Sequence, residues 1–398
     1  MTSKVTYIGR QLLNPQVEGH YVASCRIIYA ASCSKIDPYV ITLEQKGASI
    51  KKSTGRYAVI NPVLKPPVRS GILPAVFLAL NDLVVSAKIS SHIKTSDCDL
   101  IHVLNINKEA YLLAHILSNI KKPLLLHMLH SQYVLDDDVF RLRKIMFKLG
   151  IYSRLIPNHT ITINASMRDF LITKLGLDGN KVHYIPLPVD SQKFKPMNRN
   201  ELRMKYELPI NQPIVAYVGS LNPSRGLFDL LESFSHVSSS FPDSLLFISY
   251  LKRKGEEVYE ESLHRLARNS KLKKHVILRG ASPHVEEIYN LADVVALPFA
   301  RPYWIDPPLV LLEAMSSGST IVSTTAGAIS EIINSHYNGL LVPPKDPVLL
   351  GNAISDLLSN PKESRRMARN ARETIVKGYS YEEVGNKLLN VYREIQKI

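Results

Sequence analysis

The chain has 398 residues, too many for one ordinary core, and its 45% hydrophobic and 21% charged content is a globular balance that excludes extensive disorder. The net charge of +14 is unevenly placed: residues 1–195 hold 25 Lys and Arg against 13 Asp and Glu, and the remainder holds 24 against 22. A basic half suits an anionic partner such as a membrane surface, and a solvated basic face fits the same numbers. Nucleic acid is set aside, because there is no basic patch interleaved with aromatics and no zinc or recognition-helix motif.

Residues 1–9 lack the basic start and long apolar core of a secretory signal. The longest apolar stretch, 71–87, is interrupted by Pro74, Asn81 and Asp82 and falls short of a membrane span, so a cytoplasmic location is expected. Cys25, Cys33 and Cys98 have no CxxC spacing and read as buried or incidental thiols.

In chain order, short β-branched runs at 5–8, 39–43, 100–104, 123–127, 160–163 and 182–185 alternate with segments of helical period at 21–31, 109–120 and 139–149. That alternation predicts an α/β domain with an open parallel sheet over 1–186. The polar, Pro-containing passage 187–212 reads as a linker with one short helical piece at 201–206. Strands are then expected at 214–218, 245–249, 276–278, 294–297 and 320–323, giving a second such domain over 213–379. Everything from Pro347 onward reads as helical, and the last helix, 380–398, has apolar spacing suited to packing on the neighbouring domain.

Two segments carry chemistry. In Val218-Gly219-Ser220-Leu221-Asn222-Pro223-Ser224-Arg225-Gly226, a glycine-bearing turn joins a strand to a helix. Backbone N–H groups can approach phosphates there, and Arg225 adds a planar fork. A plain turn with a surface Arg is the bland alternative. In 306–318, Asp306 suits an N-cap, Pro307 and Pro308 suit a first turn, and Gly318 suits a helix end. Glu313 is the single acid of that apolar helix and needs a partner, either a core Arg or the hydroxyls of a ligand.

The run from Pro308 to Gly318, followed by Ile321 to Thr324, Gly327, Glu331 to Ile333 and Asn338 to Pro343, resembles the donor-site signature of family 4 glycosyltransferases. The passage 182–196, VHYIPLPVDSQKFKP, is similar to that family's crossover, and with VGSLNPSRG the resemblance covers nearly all of 181–398.

The resemblance implies a GT-B fold, in which two Rossmann-like domains face each other and a C-terminal helix returns to the first. It implies retaining, metal-independent hexosyl transfer from a UDP- or GDP-sugar to a lipid-linked or glycan acceptor, with no cofactor beyond the donor substrate. Glu313 would hold the ribose and Arg225 the diphosphate, with Gly219, Ser220, Gly226, Pro308 and Leu309 around the donor. Asp306 would replace an acid that the family carries where this chain has Ile305, and Ser220 stands where an Arg is usual. Lys252 or Arg301 would supply that missing charge.

In the first half, Gly19 would belong to the cleft loop that begins at Asn14-Pro15. His130, preferred over His127, would touch the donor sugar. The segment 139–156 sets Arg141, Arg143, Lys144, Lys148 and Arg154 against an apolar stripe, as either a surface for an anionic bilayer or an ordinary core helix. A second reading of the whole chain is a sugar-nucleotide-binding pseudoenzyme that scaffolds another transferase.

Overall fold

The structure is a computed structural model. It describes residues 3–10, 19–43, 56–60, 87–91, 93, 97–105, 117, 120, 122–129, 156–157, 159–253, 255–268, 272–302 and 306–396. The chain forms two compact units, Met1–Pro188 with Tyr381–Ile398, and Val189–Ser380.

The sheet of the first unit has the order β3-β2-β1-β4-β5-β6-β7. Its strands are β1 (Ser3–Arg10), β2 (Ile36–Leu43), β3 (Arg56–Ile60), β4 (Leu100–Asn105), β5 (Leu124–Met128), β6 (His159–Thr162) and β7 (Val182–Tyr184), and every pairing is parallel. Ile8, Ile41, Ile101, Val103, Leu126 and Met128 form its core with Met167 and Leu171. Those last two come from the helix Ala165–Thr173, whose start is fixed by Asn164 accepting the Met167 N–H at 2.7 Å. The expected helices at 109–120 and 139–149 fall outside the described residues, apart from Leu117 and Ile120.

The sheet of the second unit has the order β10-β9-β8-β11-β12-β13, again wholly parallel. Its strands are β8 (Ile214–Ser220), β9 (Leu245–Leu251), β10 (Val276–Arg279), β11 (Val294–Leu297), β12 (Ile321–Thr324) and β13 (Leu340–Val342). β8, β11 and β12 are buried along nearly their whole length because helices cover both faces of such a sheet. One core layer joins Val215, Tyr217, Leu246 and Ile248 to Phe234 and Val237 of the helix Leu227–Ser240 and to Leu350 and Ile354 of the helix Pro347–Ser359.

Residues 189–212, expected as a linker, are fastened to the second unit. Arg203 is buried in the short helix Arg199–Lys205, where its guanidinium donates to the carbonyls of Leu291 at 2.9 Å, Ile210 at 2.6 Å and Gln212 at 3.0 Å, and to Asp293 at 2.7 Å.

The last helix, Tyr381–Gln396, belongs to the first unit and packs along the helix Gly19–Ser32. Gly385 allows the close approach: a Cβ there would stand 2.2 Å from the Ala30 carbonyl oxygen and 2.4 Å from Ser34 Oγ. Further along, the Tyr392 hydroxyl reaches the buried sheet face, 2.8 Å from the Tyr7 hydroxyl and 2.6 Å from His102 Nδ1.

Candidate functional site

The strand order of the second unit reverses between β8 and β11, and in open α/β sheets ligands bind outside the carboxyl ends of the strands at that point. The chain leaves β8 at Ser220. Asn222 then accepts from the Ser224 N–H at 2.9 Å and from the Ser224 hydroxyl at 2.7 Å, which sets the tight turn Pro223–Arg225. Gly226 follows with φ of 70°, and a Cβ there would fall 1.6 Å from the Pro298 carbonyl oxygen. Only glycine fits on both counts. The Ala300 N–H donates to the Ser224 carbonyl at 2.9 Å, so the loops after β8 and β11 are laced together over the switch point.

The same lacing places the half-buried Arg225 guanidinium 5.2 Å from the centre of the Phe299 ring, a cation–π arrangement that holds the charge at the sheet edge. The helix Leu227–Ser240 starts at Gly226 with no side-chain cap, leaving its first N–H groups to other acceptors. Beneath the turn, the Tyr217 hydroxyl donates to the Ser220 carbonyl at 2.8 Å and would meet a Cβ on Gly219 at 2.6 Å. Burial raises this phenol well above its ordinary value, opposed by the positive Arg225. Ser220 Oγ is buried with no hydrogen-bond partner among the described residues.

The helix Leu309–Ser316 starts on the same edge. Its N-cap is Pro308, with no side-chain cap, so the expected capping by Asp306 is corrected. Asp306 is buried, and its carboxylate accepts the Ala328 N–H at 2.8 Å, capping the short turn Gly327–Glu331. Gly327 has φ of 63°, and a Cβ there would lie 2.2 Å from Asp306 Oδ2, so the carboxyl occupies space that any other side chain would need. Burial raises Asp306 to about 7, opposed by the Ala328 N–H and reinforced by Glu331.

Glu313 is buried in the second turn of this helix, where the Tyr289 hydroxyl donates to its Oε2 at 3.2 Å. The helix closes as read from the sequence. Gly318, at φ of 72°, donates to the Met315 carbonyl, and Ser319 donates to that of Ala314. Ser323 Oγ donates to the Leu297 carbonyl at 2.7 Å and Thr324 Oγ1 to that of Phe299 at 2.6 Å, which ties the end of β12 to the loop carrying the Arg225 plate.

The structure thus sets Arg225, Gly219, Ser220, Gly226, Asp306, Pro308, Leu309 and Glu313 along one edge of one sheet. His130, Asn14, Pro15, Ile305 and residues 139–155 lie outside the described residues, and Gly19 opens the helix Gly19–Ser32. His127 is fully buried in β5, stacked on His102 with ring centres 5.4 Å apart, and burial lowers it to about 3. Lys252 pairs with Glu260 at 2.8 Å, whereas Arg301 is exposed.

Sequence reading missed Phe299, Tyr289, Tyr217 and the Ala328 amide. The one available signal was an aromatic residue just after a strand end at Phe299. It also passed over the acid pair Asp97 and Asp99, which lies ahead of β4 at the opposite edge of its sheet. Asp97 pairs with Lys4 there, and Asp99 accepts the Lys4 N–H at 2.9 Å.

Residues 198–374, inside the second unit, match the family described as "Glycosyl transferases group 1". The D-inositol 3-phosphate glycosyltransferase of Xylanimonas cellulosilytica is 25% identical over 238 residues, 57% of this chain and 54% of that protein. The alpha-D-kanosaminyltransferase of Streptomyces kanamyceticus is 27% identical over 234 residues, 57% of this chain and 58% of its own. The chain therefore spans little more than half the length of these relatives.

Among solved structures, sucrose-phosphate synthase from Thermosynechococcus elongatus superposes with a TM-score of 0.79 at 18% identity, covering 99% of both chains. Anabaena HepE, solved with UDP, gives 0.78 at 17% identity over 98% of this chain and 100% of its own. The fold is GT-B. Within a GT-B chain, the edge built from Arg225, Gly226, Asp306 and Glu313 belongs to the unit that carries the family match.

Proposed function

We propose that the chain is a glycosyltransferase that moves a hexose from a UDP- or GDP-sugar to a hydroxyl of a lipid-linked or glycan acceptor with retention of configuration. The supporting observation is the switch-point edge, where Arg225 and two helix starts without side-chain caps lie beside a buried carboxylate, Glu313. Positive ends of helices and a planar guanidinium suit a diphosphate, and a carboxylate suits ribose hydroxyls. The transferase names of the relatives and the UDP in HepE support the same reading over the scaffold alternative.

On this proposal Arg225 and the amides after Gly226 take up charge as the diphosphate leaves. The leaving phosphate accepts the acceptor's proton on the same face of the sugar, so no strong side-chain base is needed. Asp306 serves by orienting Gly327 and Ala328. The fixed charges stand in for a metal, and the site needs no cofactor.

Incubation with UDP- and GDP-hexoses and simple glycan or lipid-linked acceptors, with and without EDTA, tests this. The expected result is a product that keeps the donor's anomeric configuration and a rate indifferent to EDTA. An inverted product sinks the retaining mechanism, and absence of transfer or donor hydrolysis with every donor returns the chain to the scaffold reading.

A further inference from the structure

The far end of the second sheet carries another concave surface. The helix Leu309–Ser316 runs from the C-terminal edge of the strands to Gly318 at the N-terminal edge, about 12 Å away at 1.5 Å per residue. There Gly318 and Thr320 floor a cavity of ≈ 520 Å³, walled by Pro196, Arg199 and one face of the helix Pro361–Tyr379. Arg365, Arg369 and Arg372 recur on that face at the spacing that stacks side chains along one stripe. Lys377 and Arg199 add two more cations. The single lining carboxylate, Glu373, is already paired with Lys377.

Charges of one sign at this spacing weakly oppose the helix that carries them, an opposition that a bound anion would relieve. Among the described residues no internal anion serves. Arg372 is fixed by carbonyls alone, with Nη1 donating to Phe194 at 3.0 Å and to Ser316, and Nη2 to Ser191 at 3.4 Å. Arg199 shares the one carboxylate of Asp293 with Arg203, each at 2.7 Å. Arg365 and Arg369 are exposed, and neither donates to any acceptor among the described residues. A guanidinium fork matches phosphate oxygens. Pro196, Ala368 and Val376 supply an apolar wall for the uncharged part of a ligand, and the cavity is of the size that holds a small molecule rather than a bare ion.

We propose that this cavity is a second ligand site, which binds a phosphate ester through Arg365, Arg369 and Arg372. It is separate from the edge that carries Arg225 and does not depend on the transferase reading. The phosphate comes either from a free phosphorylated metabolite or from a lipid headgroup, and the recognition chemistry is the same.

The test titrates the full chain calorimetrically with glucose 6-phosphate at constant ionic strength. In parallel it measures co-sedimentation with phosphatidylcholine vesicles with and without phosphatidylglycerol. Both are repeated for Arg365→Glu/Arg369→Glu and for the milder Arg365→Gln/Arg369→Gln, with circular dichroism to confirm folding. Both positions are exposed, so the fold should tolerate the changes.

Saturable binding of glucose 6-phosphate, weakened about tenfold or more by the reversals and less by the neutral pair, supports the site with a soluble ligand. Binding confined to the phosphatidylglycerol vesicles and lost on reversal supports it with a lipid phosphate. No binding of either probe, or binding indifferent to the substitutions, overturns it.

Discussion

At the scale of single residues, Arg225 and Glu313 are expected to fail differently when changed. Charge grows on a leaving diphosphate, so Arg225→Ala should lower kcat by about 100-fold, beyond its effect on donor affinity, and Arg225→Lys should recover only part. Glu313 would hold the ribose equally before and during reaction. Glu313→Gln should therefore weaken donor binding by about 1–3 kcal/mol with little change in kcat, which titration with UDP alongside steady-state kinetics would show. Unchanged rate and affinity in folded Arg225→Ala would remove this turn from the phosphate site.

Asp306 adds a pH dependence. Its folded value of about 7 stands above the ordinary 3.8, so its contribution to stability is full below about 4 and is lost as pH climbs through 7. Urea unfolding of wild type and Asp306→Asn from pH 4.5 to 8 should show wild type losing stability relative to the variant; parallel curves would mean that the carboxyl is not held neutral. Glycine at 226 and 318 was legible in the sequence, since each stands where a turn demands a left-handed backbone. The direction of the Asp306 carboxyl was not, because it depends on Gly327 and Ala328, twenty-two residues away in the case of the amide it accepts.

At the scale of elements, continuous apolar runs were read to within a few residues, as with β9 and β11, because burial on both faces leaves a plain signature. β3 and β13 were missed. Pairing with β2 and with β12 is what defines them. The final helix was expected from its apolar spacing, yet its polar contribution was invisible there. Tyr392 sits between Tyr7 and His102 in a buried cluster where burial lowers both His102 and His127 and raises the phenols. Tyr392→Phe removes the hydroxyl that both partners face, leaving buried polar groups unsatisfied, and should destabilise the first unit by about 1–3 kcal/mol. Denaturant unfolding followed by a probe in that unit checks it, and a change within error would mean that water takes the hydroxyl's place.

At the scale of the whole molecule, the charge imbalance between residues 1–195 and the rest leads to an expectation independent of the site. Binding to anionic vesicles should be salt-sensitive, with each basic residue near the surface contributing about 1 kcal/mol, and equal binding to neutral vesicles would refute it. No helix among the described residues is long and apolar enough to cross a membrane. The division into units has a separate consequence for biosynthesis. The second unit is one continuous stretch, Val189–Ser380, whereas the first needs Tyr381–Ile398 to close against Ala30, Tyr7 and His102. The first unit therefore cannot be completed until the last helix has been made, whereas the second needs nothing beyond Ser380.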